Sequence, residues 1–149
     1  MALSGTAGDP RIRTNRKTIT FDGGAGSGAV GSVNVFTIVG EVYIHAITAF
    51  CTTNLTTTTT GSISLGTTQQ VTRFIGVTAA VSGDHPLDAN EFWVTTTPTP
   101  GSIDLPDGLQ SVIISEDEII ANITVAAFTG GVIEFVIFWE PISTDGSLS

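Results

Sequence analysis

Along the chain, apolar and polar residues alternate with a period of two in one short stretch after another, and glycine, proline, asparagine or aspartate separates the stretches. Ile19 and Phe21 alternate with Thr18 and Thr20 across residues 17–22, the signature of a half-buried strand. Residues 33–39 and 41–52 follow as two strands separated by Gly40, or as one strand broken by a bulge there. The latter stretch is apolar on both sides, with Val42, Ile44, Ala46 and Phe50 on one face and Tyr43, Ile47, Ala49 and Cys51 on the other, beside His45. The threonine run at 54–60 reads as a loop or an exposed edge. Further strands are expected around Ile63 and Leu65, at 71–80, at 91–97 with Phe92 and Trp93 on opposite faces, and at 110–115. Residues 119–128 and 132–140 form the clearest predicted hairpin, joined by Thr129-Gly-Gly131. In its second arm Ile133, Phe135, Ile137 and Trp139 share one face, and Val132, Val136 and Phe138 share the other with Glu134 and Glu140.

About nine short strands without an amphipathic helix indicate an all-β fold, an antiparallel β-sandwich. A jelly roll fits best, and an immunoglobulin-like sandwich is the alternative, because strand number and spacing do not fix connectivity. Strands with two apolar faces lie under a cover or pack their outer face on another subunit. Tyr43, Ile47, Phe92, Trp93, Val136 and Phe138 are the candidates for such packing, and a homo-oligomer, as a trimer, is the expectation.

Composition changes this picture in two ways. Of 149 residues 41% are hydrophobic but only 13% are charged, about half the usual share, so the surface is largely neutral Thr, Ser and Gly. Such a surface is either covered in an assembly or the ordinary outer face of a threonine-rich sandwich. The single cysteine, Cys51, excludes an internal disulfide framework and any multi-cysteine zinc site. The opening residues lack the pattern of a secretory signal, and the apolar runs are too short for a membrane span. Synthesis in a cytoplasm, with no membrane partner, is therefore expected.

Charge is divided unevenly. Four of the five basic residues, Arg11, Arg13, Arg16 and Lys17, lie within seven positions, and only Arg73 lies elsewhere. Residues 18–149 carry 13 acids against one base, a formal charge of −12, and residues 1–17 carry four bases against one acid, +3. The division predicts an extended basic N-terminal arm over 1–16, a sandwich domain over 17–143 and a polar tail over 144–149. Arg11, Ile12, Arg13, Arg16 and Lys17 are the expected partner-binding residues, reaching for an acidic partner. The phosphates of a nucleic acid would repel a −12 body, so no nucleic-acid partner is expected.

Candidate chemistry is sparse. Gly26-Ser-Gly-Ala-Val-Gly31 matches GxGxxG after a strand, but it opens a β-branched run rather than a helix, so no phosphate site is expected. His45 has no second histidine or paired carboxylate at a useful sequence spacing and reads as structural. Ser82, Asp84 and His85 fall in a Gly/Pro turn too short to fold back as a triad. Glu116, Asp117 and Glu118 lack the distributed spacing of a calcium loop and read as a solvated hairpin tip. No catalytic residue, cofactor or metal is expected, and the protein reads as no enzyme.

The stretch 17–42, with Thr18-Ile-Thr-Phe-Asp-Gly23 and the loop Gly24-Ala-Gly-Ser-Gly-Ala-Val-Gly31, resembles a group of small virion proteins of tailed bacteriophages, as do Glu91-Phe-Trp-Val94 and Phe138-Trp-Glu-Pro-Ile-Ser-Thr-Asp-Gly146. The resemblance implies a structural part of the particle, a capsid decoration or cement protein on the capsid exterior with the major capsid protein as partner. The alternative it leaves is a tail or head-fibre component that binds a host glycan.

Overall fold

The computed structural model describes residues 11–79 and 85–149. They form two antiparallel sheets packed face to face. The first sheet contains β1 (Arg13–Thr20), β3 (Glu41–Thr57), β8 (Gln110–Ser115), β10 (Phe128–Pro141) and the two-residue strands β6 (Glu91–Phe92) and β7 (Thr99–Pro100). Its order is β1-β10-β3, and β3 then pairs with β8 along its first half and with β6 further on. The second sheet, ordered β11-β2-β9-β4-β5, contains β2 (Gly31–Val39), β4 (Ser62–Thr67), β5 (Ile75–Ala79), β9 (Glu118–Thr124) and β11 (Ser147–Leu148). A single 3-10 turn, Asp107–Leu109, is the only helical element among the described residues.

Consecutive strands change sheet at most corners. In an immunoglobulin-like sandwich the first two strands share a sheet, whereas here β1 and β2 lie in different ones. The core between the sheets is aliphatic and aromatic: Ile44, Ile47, Phe135, Ile137 and Trp139 face Val33, Ile38, Ile63, Leu65 and Ile123. On the far side of β4 the turn after Thr67 folds back, with Phe74 N donating to Leu65 O at 3.0 Å and Ser64 Oγ to Val71 O at 2.9 Å. That cover is why all six residues of β4 are buried, serines included.

Three expectations about the strands are corrected, besides the polar tail expected over 144–149, whose Ser147 and Leu148 form β11 on β2 with Leu148 buried. The first strand begins at Arg13 and pairs with β10 from Arg13↔Trp139 to Thr20↔Val132, so Arg13 and Arg16 belong to the sandwich with Lys17 and not to an extended arm. A polar strand can do this at a sheet edge, where one flank meets water and the backbone ladder needs no apolar side chain. Residues 1–10 lie outside the described residues. Secondly, β9 and β10 are no hairpin: β9 pairs with β2 and β4, and β10 pairs with β1 and β3 in the other sheet. The corner is made at Val125, with φ +73°, and Gly130 and Gly131 sit inside β10, where register shifts mark bulges. Thirdly, the strand expected over 91–97 pairs only at Glu91 and Phe92, and the one expected over 71–80 begins at Ile75.

Candidate interaction surface

The outer face of the first sheet is set by a bulge. Trp139 pairs with Ile44 and Phe138 with Ala46, leaving His45 as an extra residue that reverses the alternation of β3. Val42 and Ile44 therefore face the core before the bulge, and Ile47, Ala49 and Cys51 face it afterwards. Ile47 and Trp93 are both 0% exposed and offer nothing to another subunit, which corrects their place among the packing candidates. Trp93 enters the core beside Thr78, to whose Oγ1 its indole nitrogen donates at 3.0 Å.

The other four candidates, Tyr43, Phe92, Val136 and Phe138, remain partly open to solvent, Phe138 at 36%. Phe92 meets Phe50 of the same chain, with ring centroids 4.8 Å apart. Tyr43 packs edge-on against His45 at 4.6 Å, and His45 Nε2 lies 3.2 Å from Glu140 Oε2. The fold thus supplies the carboxylate that sequence spacing did not: Glu140 is brought to His45 by the β3–β10 ladder across 95 positions. Ile113 of β8, which pairs with Tyr43, extends this face and is 63% exposed.

Along one margin runs the basic edge. Arg13 places its guanidinium 5.3 Å from the centre of the Trp139 ring, and Arg16 Nη1 lies 3.2 Å from Glu134 Oε1 in an exposed ion pair. Arg11 and Ile12 precede the strand, and Lys17 and Arg11 make no ion pair among the described residues.

The acidic triplet is not a solvated hairpin tip. It turns the chain from β8 in one sheet to β9 in the other, and its carboxylates hold that corner. Glu116 Oε1 accepts from Gly40 N at 2.8 Å, and Asp117 Oδ1 accepts from Glu118 N at 2.7 Å and from the amide and hydroxyl of Thr68. Partial burial raises the Asp117 pKa, but hydrogen bonds from the Thr68 hydroxyl, the Glu118 amide, the Thr67 hydroxyl and the Thr68 amide outweigh it and leave the pKa below its ordinary 3.8. Among the described residues no three His, Cys, Asp or Glu side chains converge as a metal site would require.

The glycine loop is closed on itself. Asp22 N donates to Ser27 O at 2.7 Å, Ala29 N to Gly24 O at 2.9 Å, and Asp22 Oδ1 accepts from Gly24 N and Ser27 Oγ. Those two side-chain and backbone bonds hold the Asp22 carboxyl below its ordinary pKa. The amides of Gly24, Ser27 and Ala29 are thus bonded within the loop, which leads into a strand and not into the helix that a phosphate site of this pattern uses. Cys51 is buried, its thiol pKa pushed up to about 11 by desolvation. His85 is half-buried beside Pro86 and Asp88, and Ser82 and Asp84 lie outside the described residues.

Sequence reasoning missed a groove of about 260 Å³ lined by Gln69, Gln70, Arg73, Asp117 and residues 112–115. Arg73 stacks over Phe74 at 5.8 Å and has no ion pair among the described residues. The polar run Thr67 to Gln70 was the only trace of this groove in the sequence, and nothing there tells that it folds back towards β8.

No family model and no curated protein matches the chain. Among solved structures it is similar to one described as "Acidic stable capsid structure of Helicobacter pylori bacteriophage KHP30", at 13% identity over 93% of this chain and 92% of that one, with a TM-score of 0.49.

Proposed function

We propose that the chain is a structural virion protein of a tailed phage, a capsid decoration or cement protein that binds the outer surface of the major capsid protein as an oligomer. The sequence resemblance at residues 17–42, 91–94 and 138–146 supports the class of particle. The observation that carries the docking role is the outer face of the first sheet, where Tyr43, Phe50, Phe92, Val136 and Phe138 share a surface bordered by the basic edge strand. In this reading the edge cations Arg11, Arg16 and Lys17 replace the free arm as tether, and the −12 remainder keeps the chain off packaged DNA. Exposed ion pairs are worth about 0.2 to 1 kcal/mol each, so these three supply roughly 1 to 3 kcal/mol at low salt. We read the interleaved strand order, with β1 and β2 in different sheets, as a jelly roll. A glycan-binding fibre tip is less well supported: Gln69 and Gln70 offer carboxamides, but the nearby ring, Phe74, is buried beneath Arg73.

The test is electron microscopy of capsids lacking the protein after incubation with it. Density on the capsid exterior that weakens when Arg11, Arg16 and Lys17 become Ser, and when salt rises from about 0.05 to 0.5 M, supports the reading. Density confined to a tail or fibre, or none at all, overturns it.

A further inference from the structure

Four consecutive residues, Val112, Ile113, Ile114 and Ser115, line the groove beside β8. Neighbouring residues of a strand point to opposite faces, so one groove can touch all four only by running along the strand's edge. That edge is open: β8 pairs with β3, and no strand pairs with its far side among the described residues. The carbonyl of Glu41 accepts from Ile142 N on the β10 side, so the alternate residues Val42 and Ile44 turn their amides to β8 and meet Ile114 and Val112. The amides of Ile113 and Ser115 accordingly face the groove. At the opposite end of the same sheet β1 is also unpaired on its far side. Phe21 N donates to Gly131 O, so by the same alternation Thr14, Arg16 and Thr18 present their amides outward.

The two edges match. Arg13 pairs with Trp139, Trp139 with Ile44, and Ile44 with Val112, which puts Arg13 and Val112 in one row across the sheet. One step from that row lie Ile12 on one edge and Ile113 on the other, 51% and 63% exposed. All neighbours in the sheet are antiparallel, so β8 runs opposite to β1, and a second copy set beside the first in the same orientation presents β1 antiparallel to β8. Unshifted, this register sets Ile12 of one copy opposite Ile113 of the other and brings Arg11 towards Glu116. Arg73 is the one cation at the groove, against Asp117 within it and Glu116 and Glu118 beside it. Two β1 edges would repel each other through Arg13, Arg16 and Lys17, whereas in this register Arg11 lies near Glu116 at one end and Lys17 near Asp107 at the other.

We propose that the β1 edge of one copy adds to the β8 edge of a second copy, continuing the first sheet across a head-to-tail contact in which Ile12 packs on Ile113. The inference takes up the oligomer of the virion reading but needs only the chain itself. Loss of the contact in solution would sink it, whereas failure to decorate a capsid would sink the virion reading alone. A contact of this kind either closes into a ring or grows into a filament.

The test is sedimentation velocity of the full chain with two variants, Ile113→Pro on the β8 edge and Thr14→Pro on the β1 edge, which the register sets opposite Ser111. Each removes an outward amide and no ladder bond within the chain. The intact chain should assemble with rising concentration, each variant alone should remain a monomer, and an equimolar mixture should form a 1:1 dimer through the two unblocked edges. Variants that assemble like the intact chain, or an intact chain that stays monomeric at about 100 μM, roughly a hundredfold above a micromolar Kd, overturn the proposal. Should either proline variant fail to fold, Ile12→Cys combined with Ile113→Cys replaces them. Three strand spacings, about 14 Å, separate the two positions within one chain, so a disulfide under mild oxidation can form only between copies. Covalent multimers are the expected result, and an unlinked monomer rejects the contact.

Discussion

The indole nitrogen of Trp139 donates to Asn15 Oδ1 at 2.9 Å, and Asn15 Nδ2 in turn donates to Leu148 O at 3.3 Å. One side chain on the edge strand thus satisfies a nearly buried tryptophan and reaches the second sheet. Replacing Asn15→Leu leaves the indole N–H without its acceptor and should lower stability by about 1 to 3 kcal/mol in urea titrations. Deleting residues 1–16 should lower it further, since half of the β1 ladder goes with them. A deletion with an unchanged midpoint would restore the free-arm picture.

Thr78 and Trp93 pose the same question deeper in the molecule, for both are essentially buried and Thr78 Oγ1 is the acceptor for the indole. Thr78→Val keeps the shape and removes the acceptor, and should cost about 1 to 3 kcal/mol, whereas Thr78→Ser should recover most of the loss. A larger loss from Thr78→Ser than from Thr78→Val would mean that the methyl group, not the hydrogen bond, matters.

Cys51 carries a pH signature. Its thiol pKa rises from an ordinary 9.0 to about 11 in the folded chain. The folded state therefore binds the proton more tightly, and the associated stability, present below pH 9, is lost as pH rises to about 11. Two units correspond to roughly 2 to 3 kcal/mol. Cys51→Ala should remove this alkaline decline in the denaturation midpoint, and the native thiol should react with a disulfide reagent at pH 8 far more slowly than the unfolded one.

The acid limb has the opposite sign. Asp22 and Asp117 both titrate below 3.8 in the folded chain, so their stabilisation is present above the unfolded pKa and disappears as pH falls through the folded values. Asp117→Asn and Asp22→Asn should each lower the midpoint at pH 7 and flatten its decline as pH falls below about 4. Unaltered slopes would assign the acid sensitivity to other carboxylates.

Gly28 tests whether the glycine loop is architectural. It has φ +141°, and a Cβ there would run into Phe128 O and Gly23 N. Gly28→Ala should destabilise by at least about 1 to 3 kcal/mol without any nucleotide present. An alanine variant as stable as the parent would reopen a ligand role for the loop.

The all-β class, the inward face of β10 and the bounds of β8 were legible because each rests on local alternation that the fold leaves intact. The outer face of β3 was not, since the extra residue at His45 shifts the phase: a period-2 count puts Ala46 and Phe50 with Ile44, whereas the bulge turns Ile47 inward. The supposed hairpin failed for a different reason. Gly130 and Gly131 look like a turn, but bulges use the same residues, and only pairing with β1 and β3 tells the two apart. Arg13 to Arg16 read as an arm because an edge strand needs no apolar side chain to be held by its backbone. Ile12 and Ile113 are ordinary residues in the sequence, and only the row through Arg13, Trp139, Ile44 and Val112 relates them.

The Asn15–Leu148 contact also means that the first strand and the last meet across the gap between the sheets. The sandwich can then be opened elsewhere without losing a strand: a short linker from Ser149 to Arg11 and new ends in the exposed turn around Gly101 would give a circular permutant with the same two sheets. In that permutant the segment leading into β1 would be tied to β11, so strand addition by the β1 edge can be tested with its leading end held in place.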